Sequence, residues 1–313
     1  MQRFPEFPVS ISKYLDMLQR YPYTDMLGWS NARNEVFQQC KRKYYFQYYG
    51  KYDLGNFHKI NRLKNLTTVP LEIGNVTHKL IQALLRRIKL SFEPIDHTKL
   101  YDYSRRETYK ICRTKEFDEV YYKKRDQIDI ESEIFLPVMQ AMKNLLESDR
   151  MRWMFEEALL SKDDWIIELD DQHKYGECRI DGLKAYCKVD FMFPIDDDLY
   201  IIDWKTGKPS YAKHAIQLRG YAGWTISQFD VSVDSVKTTI AHLLPEYEEN
   251  SVQLNEFDLD DFVALVRAQT NEMYEYCEVP ETNVPLKKEQ FPMTTHLNFC
   301  KYCEYRELCD RVE

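Results

Sequence analysis

The chain has 313 residues, 44% of them hydrophobic, enough to bury one large core or two modest ones. No stretch approaches the ~20 consecutive apolar residues of a membrane span, so an integral membrane role is excluded. A net charge of -8 excludes a uniformly basic nucleic-acid binder and makes the distribution of charge more informative than its sum.

Taken in chain order, residues 1–30 are a lead-in bearing Pro and Tyr with no assigned role, and residues 31–49 read as a helix. From Arg33 to Lys64, eight basic residues stand against two acidic ones, a local charge of +6. Phe37, Tyr44, Tyr45, Phe46, Tyr48, Tyr49, Tyr52 and Phe57 are interleaved with them. That mixture suits a groove that tracks a phosphate backbone and stacks unpaired bases; about half of the rings are expected in the core instead. Arg33, Lys41, Arg42 and Lys43 are the candidate phosphate contacts. Gly74-Asn75-Val76-Thr77-His78 leads into a helix from Lys79 to Leu90, with Leu80, Ile81, Leu84, Leu85 and Ile88 as its apolar stripe. His78, in its first turn, is a cap or core residue taken alone, and a nitrogen ligand if acids stand beside it. Residues 91–162 read as a charged helical insertion whose clearest stripe is Ile134, Leu136, Val138, Met139, Met142, Leu145 and Leu146.

Candidate strands follow: Trp165 to Leu169, Tyr175 to Ile180, Leu183 to Phe193, Leu199 to Asp203 and Ser235 to Leu244. Asp181-Gly182 is a hairpin turn, and Pro194 to Asp198 is an acidic one. A sheet packed by helices on its faces is an α/β or α+β core. Glu168 lies on the first strand, more a surface residue than a metal neighbour. Side chains alternate across a strand, so Asp203 and Lys205 project from one face and Trp204 from the other. A hairpin partner can bring Asp190 beside Asp203. Two adjacent carboxylates repel, and a divalent cation makes such a pair favourable; oxygen ligands favour Mg2+ or Mn2+. Lys205 could orient or deprotonate an attacking water, or offset charge on a phosphate. The implied chemistry is metal-dependent phosphodiester hydrolysis, although a lone D-x-K hairpin also fits a plain surface turn.

Lys213 to Phe229 reads as a helix with Gln217 and Tyr221 on one face, where both could reach a nucleic-acid backbone near the acids. Glu246 to Glu281 carries eleven acids against Arg267. It is expected as a helix with an acidic outer face turned away from nucleic acid. No G-x-x-x-x-G-K-[ST] occurs, so any motor belongs to a separate chain. With no signal peptide the protein is expected in the cytoplasm, its eight cysteines reduced. Cys300, Cys303 and Cys309 fall within ten residues, and Cys40 is the best candidate for a fourth thiol. Four thiolates suit Zn2+ or an iron-sulfur cluster. Cys112, Cys178, Cys187 and Cys277 read as free thiols.

Gly74-x-x-x-His78, Lys188-Val189-Asp190, Asp203-Trp204-Lys205-Thr206-Gly207-Lys208 and Gln217-Leu218-Arg219-Gly220-Tyr221, in that order, resemble the RecB-type nucleases of the PD-(D/E)xK superfamily. The resemblance implies a restriction-endonuclease-like fold, a central mixed sheet flanked by helices, as a single domain over residues 1–313. It implies that His78, Asp190 and Asp203 hold Mg2+ or Mn2+ with the backbone carbonyl of Trp204, that Lys205 is catalytic, and that Gln217 and Tyr221 support the site. A distant upstream cysteine with a C-x-x-C-x5-C resembles the branch containing AddB-type subunits and CRISPR adaptation nucleases. There a 4Fe-4S cluster on Cys40, Cys300, Cys303 and Cys309 would join segments 31–49 and 296–313. The expected function is an exonuclease on single-stranded or frayed DNA, working with a separate helicase or with CRISPR or repair proteins. A non-catalytic scaffold subunit and a restriction-type endonuclease are the rivals.

Overall fold

The computed structural model describes residues 21–91, 93–167 and 177–311, so Glu168 and most of the lead-in lie outside it. The helices of eight or more residues are α1 (Asn31–Gln39), α2 (Phe57–Lys64), α3 (Val69–Leu90), α4 (His97–Cys112), α5 (Leu136–Leu146), α6 (Asp149–Glu156), α7 (Tyr211–Phe229) and α8 (Glu256–Tyr274). The strands are β1 (Ile166–Ile167), β2 (Arg179–Ile180), β3 (Leu183–Lys184), β4 (Phe191–Ile195), β5 (Asp198–Lys205), β6 (Val236–His242), β7 (Glu248–Val252), β8 (Cys277–Val279) and β9 (Val284–Pro285). Five of them form a mixed sheet in the order β1-β4-β5-β6-β7, antiparallel throughout except for the parallel β5–β6 pair.

Alternation along β5 assigns its residues to two cores. Ile201 packs with Leu218 of α7 and Phe262 of α8, while Ile202 and Trp204 pack with Leu80 and Ile81 of α3 and Val138 of α5. The sheet is thus covered on both faces, the mixed α/β arrangement expected. Among the described residues no helix is long and apolar enough to cross a membrane.

Local chemistry explains where the elements begin and turn. Asp181 and Gly182 both take positive φ, 47° and 74°, as a tight two-residue hairpin turn requires. Asn255 and Asp258 form a capping box that starts α8. Its buried residues are Phe262, Val266, Thr270 and Met273, which leaves the acids outside.

Four expectations about elements are corrected. The helix bearing His78 starts at Val69, because the Thr68 hydroxyl accepts Leu71 N and Pro70 occupies the first turn. His78 therefore sits in mid-helix. Leu183 to Phe193 is two strands, and Asp190 lies in the bend just before the second; Pro194 is paired inside β4 opposite Leu199. The helix expected over 31–49 breaks at Cys40, which is extended (φ -163°) and begins a short turn over 41–44. Glu248–Val252, inside the acidic stretch, is a strand, and Glu249 there holds Arg150 through bonds of 2.8 and 2.7 Å.

Candidate active site

The site forms where one strand ladder stops. β4 pairs with β5 only as far as Phe191 opposite Ile202. Lys205 O turns to the other side, accepting from Leu243 N beyond the end of β6 at 2.7 Å. The alternate residue, Trp204, therefore turns its N–H and C=O towards the side that β4 has vacated. Asp190 Oδ2 accepts the Trp204 N–H at 3.1 Å, and His78 Nε2 lies 2.7 Å from the Trp204 oxygen. His78 Nδ1 stands 3.2 Å from Asp190 Oδ1. Burial opposes a charge on His78, but the hydrogen bond and charge of Asp190, with Asp203 behind, prevail and raise its pKa.

Asp203 is only 1% exposed. Its Oδ1 accepts the Tyr221 hydroxyl at 2.7 Å and Gln217 Nε2 at 2.9 Å. Gln217 Nε2 also lies 2.6 Å from the Tyr221 oxygen, so one turn of α7 grips one carboxylate oxygen. Burial drives the Tyr221 pKa well up, with Asp203 beside it, so the phenol stays a donor. Asp203 Oδ2 faces Lys205 Nζ at 2.5 Å and accepts no well-directed hydrogen bond among the described residues. Burial, then the charge of Asp190, raises the Asp203 pKa against the pull of Lys205 and Tyr221.

This donor set fits a divalent cation. Adjacent ligands of an octahedral ion at ~2.1 Å stand ~3 Å apart, close to the separation of His78 Nε2 and the Trp204 oxygen. A buried carboxylate oxygen without a directed partner is the remaining requirement, and Asp203 supplies it. No three His, Cys, Asp or Glu side chains among the described residues stand in metal-holding geometry as they are. Lys205 sits at the Asp203 oxygen that a cation would use.

Beside Lys205 opens a cleft of about 480 Å³, lined by Ser30, Lys205, Lys213, His214, Gln217 and Tyr221 among others. The four basic residues assigned to phosphate contact do not line it. Arg33 is 4% exposed, bonded to the hydroxyls of Tyr44 and Tyr49 and to Gly28 O, with its guanidinium 4.5 Å from the centre of the Tyr48 ring. Lys41 pairs with Glu272, Arg42 donates to Phe291 O, and Lys43 pairs with Glu304. Their charges are satisfied inside the protein because the aromatic residues between them are core: Phe37, Tyr44, Tyr45, Phe46 and Tyr49 are buried.

The cysteines sort as two groups. Cys40, Cys300, Cys303 and Cys309 line one pocket, while Cys112 and Cys187 are buried elsewhere; all eight are free thiols. Cys40 Sγ receives Lys43 N at 3.5 Å and Thr294 N at 3.4 Å, and Arg311 Nη1 lies 3.1 Å from Cys300 Sγ. Burial pushes the Cys303 thiol up to about 12 and raises that of Cys309 as well. Donors thus reach Cys40 and Cys300 while burial favours the neutral thiol at Cys303 and Cys309, and no three of the described cysteines stand in metal-holding geometry as they are.

Sequence reading missed His214 and His242. His214 carried a signal, since it lies three residues before Gln217 and so shares its helix face. His242 carried none, for its place beside Lys205 comes from a parallel pairing that the sequence does not announce. The family model of the PD-(D/E)XK nuclease superfamily matches residues 28–310. No curated protein matches the chain.

Proposed function

The chain belongs to the PD-(D/E)XK nuclease superfamily, and from that premise we propose that it is an exonuclease of the iron-sulfur RecB-type branch, cutting DNA from single-stranded or frayed ends. One observation carries the site assignment: Asp203 is buried, gripped by Gln217 and Tyr221 on one oxygen and by Lys205 on the other. In this reading His78, Asp190, Asp203 and the Trp204 carbonyl hold Mg2+ or Mn2+. The cation, when bound, supplies Lewis-acid stabilisation of phosphate charge and activates water. Gln217 and Tyr221 fix the orientation of the Asp203 carboxylate. Lys205, released from Asp203 Oδ2, is placed to orient the water and offset charge on the phosphate. Loss of the His78 proton precedes its use as a ligand, so cation binding releases protons.

Cys40, Cys300, Cys303 and Cys309 are the proposed ligands of a 4Fe-4S cluster, whose role is to tie residues 40–49 to 291–311. Packing already joins these segments: Phe46 meets Tyr305 and Tyr305 donates to Gln47.

The test is digestion of end-labelled linear and circular DNA by anaerobically purified protein with Mg2+ or Mn2+. Linear substrates should be shortened from their ends, and Asp203→Ala and Lys205→Ala proteins should be inert but folded. Cleavage of closed circles would favour an endonuclease, and activity equal to the parent in either variant would overturn the site. A brown protein absorbing near ~400 nm supports the cluster, and a colourless zinc protein refutes it.

A further inference from the structure

His214 lines the cleft with Lys205, and His242, buried, packs against its ring; neither belongs to the set of residues assigned above. His214 lies one turn before Gln217 on α7, and His242 ends β6 in register with Lys205. Their ring centroids are 5.1 Å apart with planes inclined at 37°. His242 is 2% exposed, and neither of its ring nitrogens has a hydrogen-bond partner among the described residues. Nδ1 of His214 is buried and likewise unpartnered. Buried polar atoms are nearly always paired, so three such nitrogens on touching rings need a ligand.

We propose that His214 and His242 form a bis-imidazole site for a late first-row divalent ion of the Zn2+, Co2+ or Ni2+ type. Two imidazoles sharing one ion at ~2.1 Å per bond have ring centres about 4.6–5.3 Å apart, for angles between cis-octahedral and tetrahedral. The observed separation falls in that interval without rearrangement. Burial, the neighbouring His242 and Lys205 hold the basicity of His214 down, to about 4, so no proton competes for the ring near neutral pH. Lys205 and Lys213 oppose a cation here, yet each is matched by a carboxylate, Asp203 at 2.5 Å and Glu35 at 3.1 Å. Two protein nitrogens complete their shell with solvent from the cleft, and imidazole selects such ions over Mg2+. The site is distinct from the oxygen-rich one at His78, Asp190 and Asp203, and its existence does not depend on the nuclease reading.

Titrating Co2+ into the full chain and following its absorption tests this. Imidazole and water ligation gives weak visible bands, whereas thiolate ligation adds intense near-ultraviolet charge transfer, so binding at the cysteines is told apart. Beyond the equivalent expected at the oxygen-rich site that Asp190 helps to hold, the parent protein should take up one further thiolate-free equivalent. His214→Ala, a change at a partly exposed position whose folding circular dichroism can verify, should lose that equivalent or bind it at least about tenfold more weakly. Asp190→Ala should keep it. Equal thiolate-free uptake by the parent and His214→Ala, or no further equivalent in the parent, would overturn the site and leave a water-bridged histidine pair; loss of that further equivalent in Asp190→Ala as well would reassign the ion to the oxygen site.

Discussion

Tyr221→Phe removes one oxygen from the interior and nothing else. The ring stays packed and Gln217 keeps its bond to Asp203 Oδ1, while the 2.7 Å bond from the Tyr221 hydroxyl to Asp203 and the 2.6 Å bond it accepts from Gln217 are lost. A hydrogen bond to a charged group contributes about 1.5–3 kcal/mol. At 1.4 kcal/mol per decade, the ionised carboxylate, and any cation that depends on it, should be bound about 10–150-fold more weakly at pH 7. The sign of the pH dependence follows from the direction of the Asp203 shift. Burial has already raised that pKa, the variant raises it further, and at any given pH a larger fraction of Asp203 is then protonated. Raising the pH restores the carboxylate, so the deficit should shrink between pH 7 and 9. His78 also titrates, and since the charge of Asp203 contributes to its shift, the ratio of variant to parent removes only the part of that titration common to both. The measurements are the Mg2+ activation constant of cleavage and calorimetric cation binding at both pH values. A deficit below about threefold, or one of equal size at both pH values, would show that the Tyr221 hydroxyl does not tune Asp203.

Asp203→Asn should abolish cleavage and yet raise the melting temperature of the cation-free protein at neutral pH. Because the folded pKa is raised, the folded state holds a proton that the unfolded chain releases, so the destabilisation by Asp203 grows as pH rises through that window and is complete above it. Thermal melts at pH 4 and 7.5 check this, and a lower melting point for the variant at 7.5 counts against it. Arg306→Met breaks a buried pair with Asp118 at 3.1 Å. The loss should be about 3 kcal/mol, the low end for such pairs, since Lys124 remains on Asp118 at 2.7 Å. Denaturant unfolding that shows less than about 1 kcal/mol would contradict the estimate. Glu177→Gln should destabilise at pH 7 by about 1–3 kcal/mol. Burial opposes ionisation of Glu177, but Lys184 and the N–H and hydroxyl of Thr24 prevail and depress its pKa. Its contribution is present above the unfolded carboxylate pKa and disappears as pH falls through the folded value. Acid unfolding by circular dichroism should therefore be shallower in the variant, and curves of equal slope would dismiss this role.

Periodicity made much of this molecule legible before its shape was known. The alternation at Asp203, Trp204 and Lys205 correctly put two of them on one face and the tryptophan in the opposite core, where it is 2% exposed. The four-residue step from Gln217 to Tyr221 correctly gave one face of a helix. The same rule applied to His214 would have reached the cleft. What failed was whatever depended on partners far along the chain. Arg33 looked like a surface cation because a sequence does not show that Tyr44 and Tyr49 close over it. Gly74 read as a loop residue. It lies inside α3, where an added Cβ would make an ordinary contact with Thr206 Oγ1 at 3.4 Å. Cys40 joins its three companions through its place ahead of the basic and aromatic run and through the resemblance, and nothing local announces the break in the helix that exposes its sulfur to two backbone N–H groups.

The shortness of β4 has a consequence for variation within this fold. If the β4–β5 ladder ran on past Phe191, Asp190 would be drawn into the strand and Val189 would come opposite Trp204, closing the side on which Asp190 and His78 now meet the Trp204 N–H and C=O. Substituting the Trp204 side chain would leave those two backbone groups in place, so a side-chain scan would pass over them. Strand length, which no motif records, then bears on the proposed site: a relative that keeps every acid but extends this pairing by two residues should lack the meeting of Asp190 and His78 at Trp204.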